Sequence, residues 1–364
     1  RLGIGRHGSS AQRALRACRR MARPTAAENG TPAPPTRDAA IDVLRGWAII
    51  GVVVIHACGL ILPAQAYFSA AYYFRWAVPV FICAYAYFAA RPPAPGQTAA
   101  VIAGRYARLL WPFLFYSVLY AVVLGDARAP DPLATLWRYL RGDGWAGQYF
   151  FLILFQLVVL LPWLAGRRIP LAAVALSLAG LVVLLALLPA AWQASPALTA
   201  ASDRLVVYWL PYALLGIYLR QNRERWLALL ARMPRGLALA AWLACPLWLS
   251  FTYDPDWPTG PYLLPGVVAV SAAVFVLHPR ALDGRSQARW AQPLAGLGRH
   301  SLVVFCLNPL CVWALQQTVL ATPPAALPFA AAVVLAALLV VAICALCWAA
   351  GWLMRRAGWE AVAG

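Results

Sequence analysis

Lysine is absent from this 364-residue chain: all 30 basic residues are arginine, set against 12 acids and 4 histidines for a net charge of +18. Charged residues make up only 12% of the chain, about half the share usual in soluble globular domains. Between its apolar runs no hydrophilic stretch exceeds about 21 residues, which excludes a soluble catalytic domain of ordinary size and confines any chemistry to the apolar body. The 8 cysteines lie mostly inside apolar runs, with no paired Cys or Cys/His at zinc spacing in the hydrophilic stretches, so neither a metal nor a disulfide framework is expected. Cys344 and Cys347 have the C-x-x-C form, but in an apolar segment such thiols behave as small hydrophobes.

What is present in excess is hydrocarbon. Hydrophobic residues make up 63% of the chain and the mean hydropathy is +0.69. Runs of this composition are long enough to cross a hydrocarbon core of about 30 Å, so the expected fold is all-α, a polytopic transmembrane helical bundle. A pI near 10.2 in a soluble protein would suggest nucleic acid. Here the arginines cluster between apolar runs, as the positive-inside bias requires, and the expected partner is the lipid bilayer rather than DNA or RNA.

Residues 1–37 hold eight arginines with Ala, Pro, Ser and Thr and no apolar core, the composition of a disordered basic cytoplasmic tail. Residues 38–356 form the membrane domain and 357–364 a short cytoplasmic tail. Ten candidate spans follow one another at 41–62, 66–90, 106–124, 146–165, 171–189, 205–219, 233–252, 261–279, 300–320 and 327–353. With the N-terminus inside, the inner loops take most of the arginines and the outer loops most of the acids, among them Asp126, Asp131, Asp143 and Asp203. That asymmetry places both termini in the cytoplasm.

The first span carries two residues that lipid disfavours, Arg45 and His56. Eleven residues at 100° each bring them onto one helical stripe, about 16 Å apart along the axis. Titratable groups at membrane depth face a cavity or a partner and mark functional sites. His56 is the histidine deepest in a span, since His7 lies in the tail and His278 and His300 at inner helix ends. The second span runs in the opposite direction, and counting residues from the ends puts Arg75 at nearly the depth of His56. Arg105 and Arg108, at i and i+3 where the third span begins, form a compact cationic pair, and Asp42 stands one turn before Arg45, placed to pair with it.

Asp42-x-x-Arg45-Gly46 followed by His56, an Arg-x10-His spacing, resembles the opening motif of integral-membrane acyltransferase family 3. Phe74 to Phe81 is similar to that family's second-span pattern, Arg105 to Pro112 to its Arg-x-x-Arg segment, Tyr149-Phe-Phe-Leu152 with Gln156 and Pro162 to its aromatic fourth span, and Leu297-Gly-Arg-His-Ser-Leu302 with Pro309 to the segment opening a late span. The chain departs from the pattern twice. Cys83-Ala84-Tyr85-Ala86 stands where Ser-Gly is common, and Asn308 precedes Pro309 where His is frequent.

The resemblance implies transfer of an acyl group, acetyl in many members, from cytoplasmic acyl-CoA (acetyl-CoA) to a hydroxyl of an extracytoplasmic carbohydrate or glycolipid, in the bacterial cytoplasmic (inner) membrane. Such a reaction needs a base for the hydroxyl proton and a cation or donor for the developing oxyanion. His56 is the expected base and Arg75 the oxyanion partner, a neighbouring cation also favouring the neutral imidazole that a base requires. Arg45, Arg105 and Arg108 are expected to hold the phosphates of the donor through bidentate contacts. Trp145, Gln148, Tyr149, Asp143 and Asn308 are the acceptor-side candidates, aromatic faces and polar groups being suited to a polyhydroxylated ligand. Two other readings stay open: a transporter or flippase of an anionic metabolite, since buried Arg and His also mark substrate pathways, and a non-catalytic protein of the same architecture.

Overall fold

The computed structural model describes residues 38–193, 204–252, 262, 264–283, 285–286, 288–318 and 327–363; the expected tail at 1–37 lies outside them. Among the described residues every regular element is a helix. In chain order these are α1 (Ala39–Ala57), α2 (Ala64–Tyr73), α3 (Ala77–Ala89), α4 (Thr98–Val123), α5 (Pro132–Leu140), α6 (Tyr149–Ala165), α7 (Leu171–Gln193), α8 (Leu210–Gln221), α9 (Arg223–Ala231), α10 (Arg235–Phe251), α11 (Pro265–Ala281), α12 (Ala291–Arg299), α13 (Ser301–Gln317), α14 (Phe329–Arg356) and α15 (Glu360–Ala363).

Helix lies in each of the ten apolar segments, but length and hydropathy qualify fewer of them as spans. Three helices are long and apolar enough to cross a membrane: α1 with its extension to Leu60, α4 and α14. Two bent pairs, α9 with α10 at 106° and α12 with α13 at 84°, raise the number to five if each is one span. The segment 66–90 is not continuous: α2 and α3 are separated at Phe74–Trp76. Pro79 accounts for the break, because its ring crowds the carbonyl of Arg75 four residues back and it offers no N–H to that carbonyl. Arg75 is thereby held at a break in the helix rather than along a continuous one.

Burial sorts the helices by position. Around α1 the residues Ile41, Val43, Leu44, Ile49, Val52, Val53 and Ile55 are all buried, and a helix apolar on all sides but one narrow polar stripe belongs in an interior. It touches α2, α3, α11, α12, α13 and α14. The 28-residue α14 is the opposite case, exposing Val334, Leu338, Val341, Leu346 and Trp352; such a continuous apolar surface on a folded chain is stable against lipid, not water.

Two glycine contacts set how closely the central helices approach. A Cβ on Gly298 of α12 would stand 1.9 Å from the carbonyl oxygen of Asp42, and one on Gly46 of α1 would stand 2.1 Å from that of Leu294. The two backbones therefore touch, each through the other's glycine. Likewise a Cβ on Gly216 of α8 would meet the carbonyl of Cys83 at 2.2 Å. The close packing that Ser-Gly would give α3 is supplied here by the glycine of the opposing helix, with Cys83, Ala84 and Ala86 fully buried.

Gly298→Val is expected to part α12 from α1 and lower the thermal midpoint in detergent, with a cost of at least about 1–3 kcal/mol for overpacking. Gly296→Ala serves as the control on the same helix, since only the tip of Arg299 approaches its Cβ position, and should leave the midpoint unchanged.

Candidate active site

The polar stripe of α1 faces a polar stripe of α13. Ser301, Phe305 and Asn308 recur at i, i+4 and i+7, one face of that helix, and both polar members are bonded to α1. Arg45 Nη2 donates to Ser301 Oγ at 2.9 Å, and His56 Nδ1 lies 2.5 Å from Asn308 Oδ1. Arg45 also pairs with Asp42 one turn earlier, Nη1 to Oδ1 at 3.5 Å. Two residues singled out on α1 thus find partners about 250 positions away in the chain, Ser301 and Asn308, which are buried while Arg45 and His56 keep part of their surface accessible.

Beside the Arg45–Ser301 bond is a cavity of about 320 Å³, lined by Arg45, Phe81, Tyr85, Phe88, Leu109, Phe150, Leu154, Ser301, Leu302 and Phe305. It is apolar along most of its wall and cationic at Arg45. Phe305 lies one turn before Asn308 and so stands between the cavity and the His56 end of the interface. A Cβ on Gly147 would meet the Phe305 ring at 2.8 Å, and Gly147 has φ +91°, so this turn tolerates little but glycine.

The two arginines at the start of the third expected span part company. Arg105 is half-buried, its Nη1 is enclosed without a hydrogen-bond partner, and it acts electrostatically on Tyr85 of the cavity wall. Arg108 is exposed. Arg75 lies over two aromatic rings, 5.3 Å from the centroid of Tyr72 and 5.1 Å from that of Tyr262, with its Nε enclosed and unbonded. It is close enough to act electrostatically on His56. Tyr262 also contacts Tyr149, ring centroids 6.4 Å apart, which joins Tyr149 to the surroundings of Arg75.

The segment before α6, which carries the acceptor-side candidates Trp145 and Gln148, is folded inward. Trp145 is buried, stacked on Tyr120 at 5.0 Å and 7° and edge-on to Phe305 at 6.3 Å. Gln148 has no exposed surface; its Oε1 accepts from Gly144 N at 2.7 Å and its Nε2 donates to Ser117 Oγ at 2.8 Å. Left-handed Gly142 and Gly147 make the turns that bring these side chains in. Asp143 remains exposed and is ion-paired with Arg204 and, at 3.5 Å, with Arg141. In the same region Arg138 bonds Asp126 at 2.5 Å and Tyr139 Oη donates to it at 2.9 Å. The Arg138 guanidinium, helped by that hydroxyl, holds the Asp126 carboxyl below the usual carboxylate range. The clasp is therefore intact at neutral pH and is lost only as pH falls through that lowered value.

The other two histidines among the described residues lie against backbone carbonyls. His278 is fully buried rather than merely at a helix end, with Nε2 2.9 Å from the carbonyl of Ala40, and His300 Nδ1 lies 2.7 Å from that of Gly296. Cys347 Sγ is 3.8 Å from Cys311 Sγ on α13, a thiol outside the C-x-x-C pair.

A family model described as an acyltransferase domain, that of acyltransferase family 3, matches residues 38–350. No curated protein and no solved structure matches the chain.

Because both ends of the Gln148 amide are engaged in the interior, Gln148→Leu should strand the Gly144 N–H and the Ser117 hydroxyl. A fall in thermal stability of about 1–3 kcal/mol is expected. An unchanged midpoint in a detergent melt would show that these bonds do not hold the segment.

Proposed function

The chain belongs to acyltransferase family 3, and on that premise we propose that this membrane acyltransferase moves an acetyl group from cytoplasmic acetyl-CoA to a hydroxyl of an extracytoplasmic carbohydrate or glycolipid. The observation that carries the reading is the α1–α13 interface, with Arg45 on Ser301 at the cavity and His56 on Asn308 farther along. A cationic group at one end and an imidazole at the other, about 16 Å apart along α1, suit a donor whose phosphates stay at one side while its thioester is delivered to the other. The ten apolar segments and the arginine distribution support ten spans with both termini in the cytoplasm, and the family resemblance supports the inner membrane of a bacterium as the location.

In the proposed reaction His56 takes the proton of the acceptor hydroxyl as its oxygen attacks the thioester carbonyl. The carbonyl oxygen becomes anionic and is met by Arg75, whose charge already acts on His56. Collapse of the intermediate breaks the C–S bond, and the departing thiolate receives the proton from the imidazolium, so atoms and charge balance. Arg45 and Arg105 hold the donor phosphates at the cavity. Arg108, exposed on the next turn, adds an outer contact. On the acceptor side the half-buried Tyr149 and the exposed Asp143 are the candidates that remain accessible, whereas Trp145 and Gln148 support the segment that carries them.

His56→Ala should leave folded protein but abolish transfer of labelled acetyl from acetyl-CoA to the host's envelope glycan and glycolipid fraction, since a positioned base supplies about 10²–10⁴-fold. Retention of more than about a tenth of native turnover would remove His56 from this role.

Arg105→Ala should raise the KM for acetyl-CoA several-fold with kcat nearly unchanged, the signature of lost uniform binding. The exposed Arg108 should matter less. Equal KM values for native protein and Arg105→Ala would exclude Arg105 as a donor ligand.

A further inference from the structure

We propose that Asn308 is a positioning residue that fixes His56 as the tautomer with hydrogen on Nδ1, leaving Nε2 as the single nitrogen able to take a proton. The proposal rests on the reading of His56 as the base and assigns which of its atoms does the work.

The argument begins in the backbone of α13. Pro309 lies inside this helix and has no N–H, so the carbonyl of Phe305, four residues earlier, loses its helical donor. Asn308 fills that gap with its side chain. Its Nδ2 donates to the carbonyl of Phe305 at 2.8 Å and to that of Val304 at 2.8 Å. Both amide hydrogens are thereby committed, and a flipped amide would set its oxygen against two carbonyl oxygens. The orientation that remains points Oδ1 away from the helix, to 2.5 Å from His56 Nδ1.

An amide oxygen only accepts. For that contact to be a hydrogen bond, Nδ1 must carry the hydrogen and donate it. Neutral imidazole has one N–H, so its lone pair is then on Nε2. Asn308 has no exposed surface, which shields the bond from competition by water. Arg75, the charge acting on His56, cannot accept a proton and so does not offer the ring a second acceptor. The chain thus achieves, with an amide anchored on a carbonyl that Pro309 leaves unpaired, the orientation that a buried carboxylate gives the histidine of a hydrolytic triad.

The direct measurement is magic-angle-spinning NMR of the full-length protein in liposomes with ¹³C,¹⁵N-histidine, subtracting the spectrum of His56→Gln to isolate His56. Expected at neutral pH is the neutral ring with hydrogen on Nδ1. A ring protonated on Nε2, or one averaging between the two, would overturn the proposal, and this readout needs no variant at Asn308. In kinetics, Asn308→Leu should lower kcat for acetyl transfer by about 10²-fold or more, by the size of orienting effects on a catalytic histidine, with the KM for acetyl-CoA within about two-fold. A kcat for Asn308→Leu within about three-fold of native would overturn the positioning role. Failure of the underlying reading is distinguishable, because it would appear as turnover retained by His56→Ala whatever the tautomer.

Discussion

The contact between the backbones of α1 and α12 is the constraint on which the candidate site depends. Helices ordinarily pack with axes 8–10 Å apart because side chains hold them off; here Gly46 and Gly298 remove those side chains at reciprocal positions and let carbonyls fill the space. Only one residue, His300, intervenes before α13 begins, so seating α12 on the first turns of α1 also seats Ser301 opposite Arg45. Asp42, whose carbonyl lies against Gly298, is the residue whose carboxylate pairs with Arg45. Backbone packing and guanidinium placement are fixed by the same turn of helix.

From that anchor the interface runs outward along two stripes, and its chemistry changes along the way. Near the anchor it is cationic and opens on an apolar cavity; beyond Phe305 it becomes the His56–Asn308 pair, overlooked by Arg75 from the break between α2 and α3. The break has a local cause in Pro79, and the aromatic rings of Tyr72 and Tyr262 take the place of water around the arginine. A cation in apolar surroundings is stabilised by the faces of such rings.

The residues of α1 were legible in the sequence because a guanidinium and an imidazole in an apolar run contradict their surroundings, and helical periodicity alone puts them on one side. Arg75 acts electrostatically on His56 from the break between α2 and α3. Their partners were not legible in the same way. Ser301 is a short polar residue of ordinary appearance, and Asn308, named from the sequence as an acceptor-side candidate before Pro309, gains its place beside His56 only through the pairing of α13 with α1; the i, i+4, i+7 spacing through Phe305 was the available signal. Trp145 and Gln148 lie deeper than the sequence suggests: a polar stretch with aromatics reads as an interfacial loop, whereas the left-handed glycines that fold it inward show their effect only in three dimensions. The number of apolar segments was plain, but prolines and bends such as the 84° between α12 and α13 decide which of them are continuous helices.

The bond between His56 and Asn308 also limits where protons can go. An imidazole whose two nitrogens both reach exchangeable groups can pass a proton through, accepting on one side and releasing on the other. An amide oxygen has no proton to give back to the ring and cannot carry one onward. With hydrogen on Nδ1, as proposed, the ring joined to Asn308 is a terminus and not a wire: a proton that enters at Nε2 must leave by Nε2. A membrane enzyme built around such a dead end can exchange protons between substrate and leaving group without opening a route for them across the bilayer.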